Sequence, residues 1–434
     1  MHTQKPVVVI GGGLAGLTAA NYLARAGKQV ILLERAKHLG GRARTNREHG
    51  FEINFGPHAL YLKGAGARVL RELNLLPAGS KPIAPDVLWA EQRLYPTKSI
   101  KAALTTPLLN RRAKWQFLRS FAKIPFINPA NYADRSFAQW IEQQADEPHV
   151  RQLLAMFGRL TTYGAANDLQ SAAATLENIK TGLAGVLYVD HGWQVIVESL
   201  INKARQAGVE LCTSQRVQAI QPSHAGVTIQ LADGTTMQAE AVVLAVTPQA
   251  ANELIGTSQH FQRHYQRLLP ITAACWDVGL RHLPQPERRF LLGVDQPYYA
   301  VAHSSYAKLA TQGQALIHVM KYLDPRQTYD PKQTRAELEQ LLDHYQAGWR
   351  DQLVTSQFLP SITVSYDTPQ VQFGGLVGRT PVVLDDCPKV YLAGDWVGAE
   401  GQLADASFAS GYTAAKQLLQ PAPQSQMRSV GALA

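Results

Sequence analysis

Residues 6–34 carry the pattern that most narrows what this chain can fold into. Pro6 to Ile10 (PVVVI) reads as a buried parallel strand that runs directly into Gly11-Gly12-Gly13-Leu14-Ala15-Gly16, a GxGxxG turn. A helical pattern follows (Leu17, Ala20, Leu23, Ala24) and stops at Gly27; a second apolar strand, Val30 to Leu33, then ends on Glu34. Each glycine has a mechanical role. Gly11 allows the tight turn, Gly13 lets a pyrophosphate approach the backbone, and Gly16 lets helix and strand pack closely. The helix N-terminus, with Leu14 and Ala15 in its first turn, offers unpaired N–H groups to the phosphates. Glu34 is placed to accept hydrogen bonds from an adenosine ribose, and its charge disfavours a 2′-phosphate. Strand, turn, helix, strand and terminal acid together define a dinucleotide site in an α/β domain of Rossmann type.

The segment after Glu34 bears on which dinucleotide. Leu39-Gly40-Gly41-Arg42-Ala43-Arg44-Thr45 offers two more glycines for close backbone approach and a guanidinium fork for a pyrophosphate. Near the other end, KVYLAGDW (389–396) is a short apolar strand ending in Gly394-Asp395. A helix then begins at Leu403-Ala404, with small residues Ala404, Ser407, Gly411 and Ala414/Ala415 on one face. With GxGxxG, a strand-end Glu and GGRxxT in this order, the chain resembles the flavin-containing amine oxidase, protoporphyrinogen oxidase and phytoene desaturase superfamily.

The resemblance implies FAD as cofactor. It implies that Asp395 meets the ribityl chain and that the Ala404 N–H, at the N-terminus of the last helix, faces the flavin pyrimidine. Physics supplies a reason, because reduced flavin carries negative charge there and a helix N-terminus stabilises it. It also implies that Val217 holds adenine through its backbone, and that Arg35, Ala245, Leu403 and the loop Gly56-Pro57-His58 line the cofactor.

The three matching pieces imply a discontinuous architecture. Residues 1–90, 190–255 and 375–420 build the FAD domain. Residues 91–189 and 256–374 build a substrate domain of antiparallel sheet and helices, and 421–434 is a frayed tail. At roughly 100–200 residues per domain, 434 residues suit such a division.

For catalysis the candidates are His58, in the flavin-facing loop, and Lys321, in HVMKYL, as a lysine of the amine-oxidase kind. No metal-ligand spacing or serine–histidine–acid pattern stands out, so the chemistry is the cofactor's: hydride leaves a substrate carbon while the protein binds, orients and excludes water. Amine oxidases usually carry an aromatic residue where this chain has Leu403, and an aliphatic side chain lacks the ring face that attracts a cationic amine. The expected reaction is therefore dehydrogenation or desaturation of a large hydrophobic molecule. Oxidation of an amine or porphyrinogen is the alternative, and a non-enzymatic lipid-binding escort protein a remote third. Gly64 to Val69 lacks the third glycine of a second fingerprint, which points to oxygen, a quinone or a separate carrier as electron acceptor.

Three scattered cysteines (Cys212, Cys275, Cys387) exclude a disulfide scaffold or zinc ribbon. No apolar run reaches the roughly 18 residues of a membrane span, and the immediate entry into a strand leaves no room for a signal peptide. The expected location is cytoplasmic, or peripheral on the inner face of the membrane.

The latter follows from the net charge of +9. From Gln92 to Ala133 there is no Asp or Glu but eight Lys or Arg, so the rest of the chain nets +1. Without a recognition module, nucleic acid is excluded as a partner. Between Pro107 and Pro125 a helix is expected, with Arg112, Arg119 and Lys123 on one side and Phe117, Leu118, Phe121 and Ile124 on the other. A basic amphipathic helix of this kind suits either an ordinary surface position, with its aromatic face packed on the core, or an anionic membrane surface.

Overall fold

Val7–Ile10 is buried along its whole length because it lies at the middle of a five-stranded parallel sheet. The computed structural model describes residues 5–82, 85–97 and 105–420; the expected tail, 421–434, and two of the basic residues, Lys98 and Lys101, lie outside these. The sheet order is Glu210–Cys212, Val30–Leu33, Val7–Ile10, Ala241–Leu244, Val390–Leu392. Val7 pairs with both Val30 and Ala241, and Val242 pairs with Val390. Valine and leucine fill these strands because the central ones are covered on both faces.

Helix Leu14–Arg25 packs against both Gln194–Gln206 and Leu403–Leu419. The small residues of the last helix explain how close that contact is: a Cβ added at Gly411 would sit 2.3 Å from the carbonyl oxygen of Ala15. An antiparallel meander, Val217–Ser223, Gly226–Leu231 and Thr236–Ala239, completes this unit. Its second turn contains Gly234 at φ +88° and is closed by Thr235 N–H donating to the Asp233 carboxylate at 2.9 Å.

The second sheet has seven strands, in the order Leu353–Ser365, Ile271–Leu280, Ala315–Leu323, Tyr298–Ala302, Phe290–Gly293, Val87–Ala90, Arg93–Pro96. All its pairs are antiparallel except Phe290–Gly293 with Val87–Ala90. One face packs on helices Arg111–Lys123, Phe137–Gln144, Pro148–Thr162 and Ala172–Leu183, and the other on Pro331–Tyr345. The architecture is α/β overall, a parallel Rossmann-type sheet beside an antiparallel sheet with helices.

Two segment boundaries read from the sequence shift. Val87–Ala90 pairs into the seven-stranded sheet rather than ending the first unit, because its partner strand begins some 200 residues later. Helix Gln259–Tyr265 stays with the FAD side, where Phe261 is fully buried with its ring centroid 6.1 Å from that of Trp396. No helix among the described residues is long and apolar enough to cross a membrane.

Candidate functional site: a flavin cradle and the loop beside it

The glycine turn is built around one carbonyl. Gly11 has φ +106°, and a Cβ there would fall 2.2 Å from the oxygen of Ala245, the residue that follows the neighbouring strand. A Cβ on Gly16 would lie 1.9 Å from the Gly11 oxygen, so the helix is seated on the turn itself. Gly13 is different: among the described residues nothing lies within 4 Å of a Cβ placed there. Gly41, at φ +55°, faces the Gly13 Cα across the same space, and Gly40 donates its N–H to the Gly12 carbonyl at 2.7 Å. Arg35 is exposed just beyond.

Glu34 closes this end. One carboxylate oxygen accepts from Gly12 N–H at 2.7 Å and the other from Ala36 N–H at 2.8 Å. Its own carbonyl accepts from Gln215 N–H, two residues before Val217, which brings Val217 alongside Glu34. Among the described residues no side chain caps the helices at Leu14 or Leu403. Open backbone at Gly13, an uncapped helix N-terminus and a held carboxylate suit a dinucleotide diphosphate and its ribose.

At the flavin end, Asp395 is buried and its Oδ2 accepts from Arg42 at 2.9 Å and from Tyr366 N–H at 3.2 Å. Arg42 also donates to the carbonyls of Thr363 and Val364 and lies 4.7 Å above the Tyr366 ring. The sequence offered Arg42 to a pyrophosphate; in the structure its fork also meets Asp395 and two strand carbonyls. Leu403 stands at φ +55°, a left-handed conformation unfavourable for leucine, which turns the chain so that Ala404 opens the last helix.

Beneath that N-terminus, buried Asp405 accepts a hydrogen bond from Gly66 N–H at 2.7 Å, and a Cβ at Gly64 would fall 2.0 Å from its carboxylate. Burial pushes the Asp405 carboxyl up to about 7, outweighing the Gly66 hydrogen bond. A carboxyl that holds its proton more tightly folded than unfolded costs stability as pH rises. The penalty begins near pH 4 and is complete above about pH 7. The unfolding temperature should therefore fall from about pH 5 to about pH 8, and Asp405→Asn should raise the high-pH value and flatten that slope. Thermal scans across this range check both.

Gly56-Pro57-His58 faces the substrate-side sheet. A Cβ at Gly56 would meet Ile362 Cδ1 at 3.0 Å and Cys275 Sγ at 3.2 Å. The His58 Nδ1–H donates to the Gly56 carbonyl at 2.9 Å, and its ring lies 5.0 Å from Trp193. Burial lowers His58 to about 4, outweighing its backbone hydrogen bonds to Gly56 and Arg42, so it is neutral at pH 7. Tyr163 donates to the Pro57 carbonyl at 3.2 Å, and burial raises its hydroxyl far above the usual range.

Lys321 is a correction. Alternation along Ala315–Leu323 sends His318, Met320 and Tyr322 toward this loop but Lys321 to the opposite face, where it pairs with Glu337 over the Tyr329 ring. It takes no part in the site.

The sequence reading passed over three polar groups. Arg379, buried, donates to the carbonyls of Gly401 (3.0 Å) and Asp395 and lies 3.6 Å from the Asp367 carboxylate. Asp277 and His318 form a buried cross-strand pair through His318 Nδ1–H, with His303 stacked edge-on at 4.6 Å. Asp277 and His318 had a signal: each stands at an inward, buried position of a largely apolar strand (ITAACWDVGL, ALIHVMKYL), and a polar residue there needs a partner.

Residues 14–419 match the family described as flavin containing amine oxidoreductase, and the chain belongs to that family. That family is one of flavin-containing oxidoreductases. A Mycobacterium tuberculosis protein, AofH, named as a flavin-containing monoamine oxidase, is 28% identical over 265 residues, 56% of this chain and 57% of that one. The chain thus spans little more than half of that relative's length. An oxidoreductase from Methanosarcina mazei shares the fold at TM-score 0.74 and 18% identity, covering 95% of this chain and 100% of that one. Cyclohexylamine oxidase from Brevibacterium oxydans does so at 0.71 and 15%, covering 96% and 99%. At these identities the structural likeness is one of fold.

Proposed function

We propose that this enzyme removes hydride from a carbon of a neutral, hydrophobic substrate, as a desaturase or dehydrogenase does. The observation that carries the reading is the setting of the Gly56-Pro57-His58 loop: Ile362, Cys275, Trp193 and Tyr163 surround it, and none is charged at pH 7. His58 itself is neutral there. None of these four side chains offers a cationic substrate a counter-charge, whereas an apolar one gains from each contact at roughly 25 cal/mol per Å² buried.

FAD, when bound, supplies the hydride acceptor. Arg42 and Tyr366 fix Asp395, the helix opening at Ala404 presents N–H groups where negative charge grows, and Trp193 with Tyr163 excludes water. His58, its Nδ1–H held by Gly56, brings a neutral ring to the loop.

Amine oxidation is the second reading, favoured by the relatives named for amines. In this site the amine would react as its neutral free base. Anaerobic mixing of the purified yellow enzyme with polyenes, porphyrinogens and small amines separates the two, because loss of flavin absorbance reports hydride transfer. Fast bleaching by the apolar compounds is the expected result. Bleaching by small amines alone would replace the first reading by the second.

A further inference from the structure

The acid-free basic segment folds into an element whose outward face differs from the one its spacing implied. Helix Arg111–Lys123 is capped by the Asn110 side chain and buries Ala113, Phe117 and Ser120. Leu118, expected inside, is 41% exposed, Trp115 is 62% exposed, and Phe126, just past the helix, is 88% exposed. The spacing explains this, since Leu118 sits about 100° from Phe117, far enough to leave the buried arc. Trp115, Leu118, Ala122 and Phe126 follow each other at three- and four-residue steps, so they form one apolar strip on the solvent side.

Cations flank this strip. Lys114 lies on one side and Arg119 and Lys123 on the other, with Arg111 at its start and the Arg119 guanidinium 5.6 Å from the Trp115 ring. None of these four cations makes an ion pair among the described residues. Arg112, by contrast, is held by Asp146 and Glu147. The groove beyond it, between this helix and Phe137–Gln144, is lined by Arg112, Gln116, Arg119, Glu142 and Asp146 together with Trp115, so polar groups border the strip where Trp115 stands.

We propose that this face lies in the interface of an anionic lipid bilayer, with Trp115, Leu118 and Phe126 entering the headgroup–acyl boundary and Lys114, Arg119 and Lys123 meeting lipid phosphates. Charge complementarity selects the occupant. A protein partner of ordinary surface composition gains little from a strip one residue wide, whereas lipid fits apolar side chains between cations at any register. Each free cation near such a surface is worth about 1 kcal/mol, or roughly fivefold in binding.

The test is sedimentation of the flavin-loaded protein with phosphatidylcholine vesicles, with and without phosphatidylglycerol. It uses no substrate, so its outcome is independent of the reaction proposed above. Binding is expected only with the anionic lipid and should weaken as salt rises from about 0.1 to about 0.5 M. Arg119→Gln with Lys123→Gln should lower affinity about 25-fold, and Trp115→Ser with Phe126→Ser roughly tenfold or more. Arg112→Gln should change it less than about twofold, because its charge is already spent on Asp146 and Glu147. Flavin absorbance and unfolding temperature verify that each variant is folded. Equal binding to neutral vesicles, no binding, or indifference to both double variants overturns the proposal. So does a solution dimer that Trp115→Ser with Phe126→Ser dissociates, which would assign the face to a second copy of the chain.

Discussion

Gly16→Ala protein should purify colourless and unfold at markedly lower temperature. Its new methyl group would be placed 1.9 Å from the Gly11 oxygen and 3.2 Å from the Ala245 Cβ, so helix Leu14–Arg25 must move off the sheet. Overpacking of this kind costs roughly 1–3 kcal/mol or more, and displacement moves the N–H groups that face the diphosphate. Gly13→Ala separates the two effects. At φ −80° alanine is unstrained, and its methyl group projects into space that is open among the described residues. That variant should keep its fold and still lose FAD, by roughly 100-fold or more in affinity, because the methyl occupies the diphosphate's line of approach. Flavin retention on gel filtration with a thermal melt of each variant checks the pair. Retained colour in Gly13→Ala would remove the diphosphate from that position.

Arg379→Leu is expected to be nearly as damaging, from a residue no fingerprint marks. Its guanidinium is buried and joins three things: the Asp395 carbonyl, the Gly401 carbonyl and the Asp367 carboxylate. Removing it strands a buried carboxyl and two carbonyls, a change that typically costs about 3–5 kcal/mol. The loop from Asp395 to Gly401 loses its clasp, and with it the placement of Leu403 and Ala404. The expected result is a lower unfolding temperature together with weakened FAD binding. Arg379→Lys, which keeps the charge but replaces the planar fork by a compact ammonium, should recover stability in part. If Arg379→Leu melts like the parent and stays yellow, the clasp has no structural weight.

What the sequence disclosed follows the range of the interactions involved. Gly11, Gly16 and Glu34 were legible because their chemistry is complete within one strand–turn–helix–strand unit of 28 residues, 7–34. FAD and the parallel sheet followed from that unit and from Gly40 to Arg42. Arg379 was not legible, since two of its partners are carbonyls, which no residue type announces, and the third, Asp367, is not joined to it by any motif. Lys321 was misplaced because a strand pattern shows alternation but not which face meets the site. Leu118 failed for a related reason: a boundary position on a helix is decided by the neighbour it packs against, here Phe137–Gln144 and Pro148–Thr162, and not by its own hydrophobicity. Val87–Ala90 required its partner near residue 291, beyond anything local periodicity carries.

The strand order of the parallel sheet has a temporal meaning. Its neighbours in space start at residues 210, 30, 7, 241 and 390, so the strand beginning at 7 waits for the one beginning at 241 before it is flanked on both sides. The edge strand, Asp395 and the last helix come after almost everything else. The helices from Arg111 to Leu183 join mostly near neighbours and can form while the chain emerges, since local contacts form fastest. Colour therefore waits on the far segment: a nascent chain passes through a long interval in which the diphosphate turn exists without its flavin end, and capture of FAD requires that residues 390–419 have emerged.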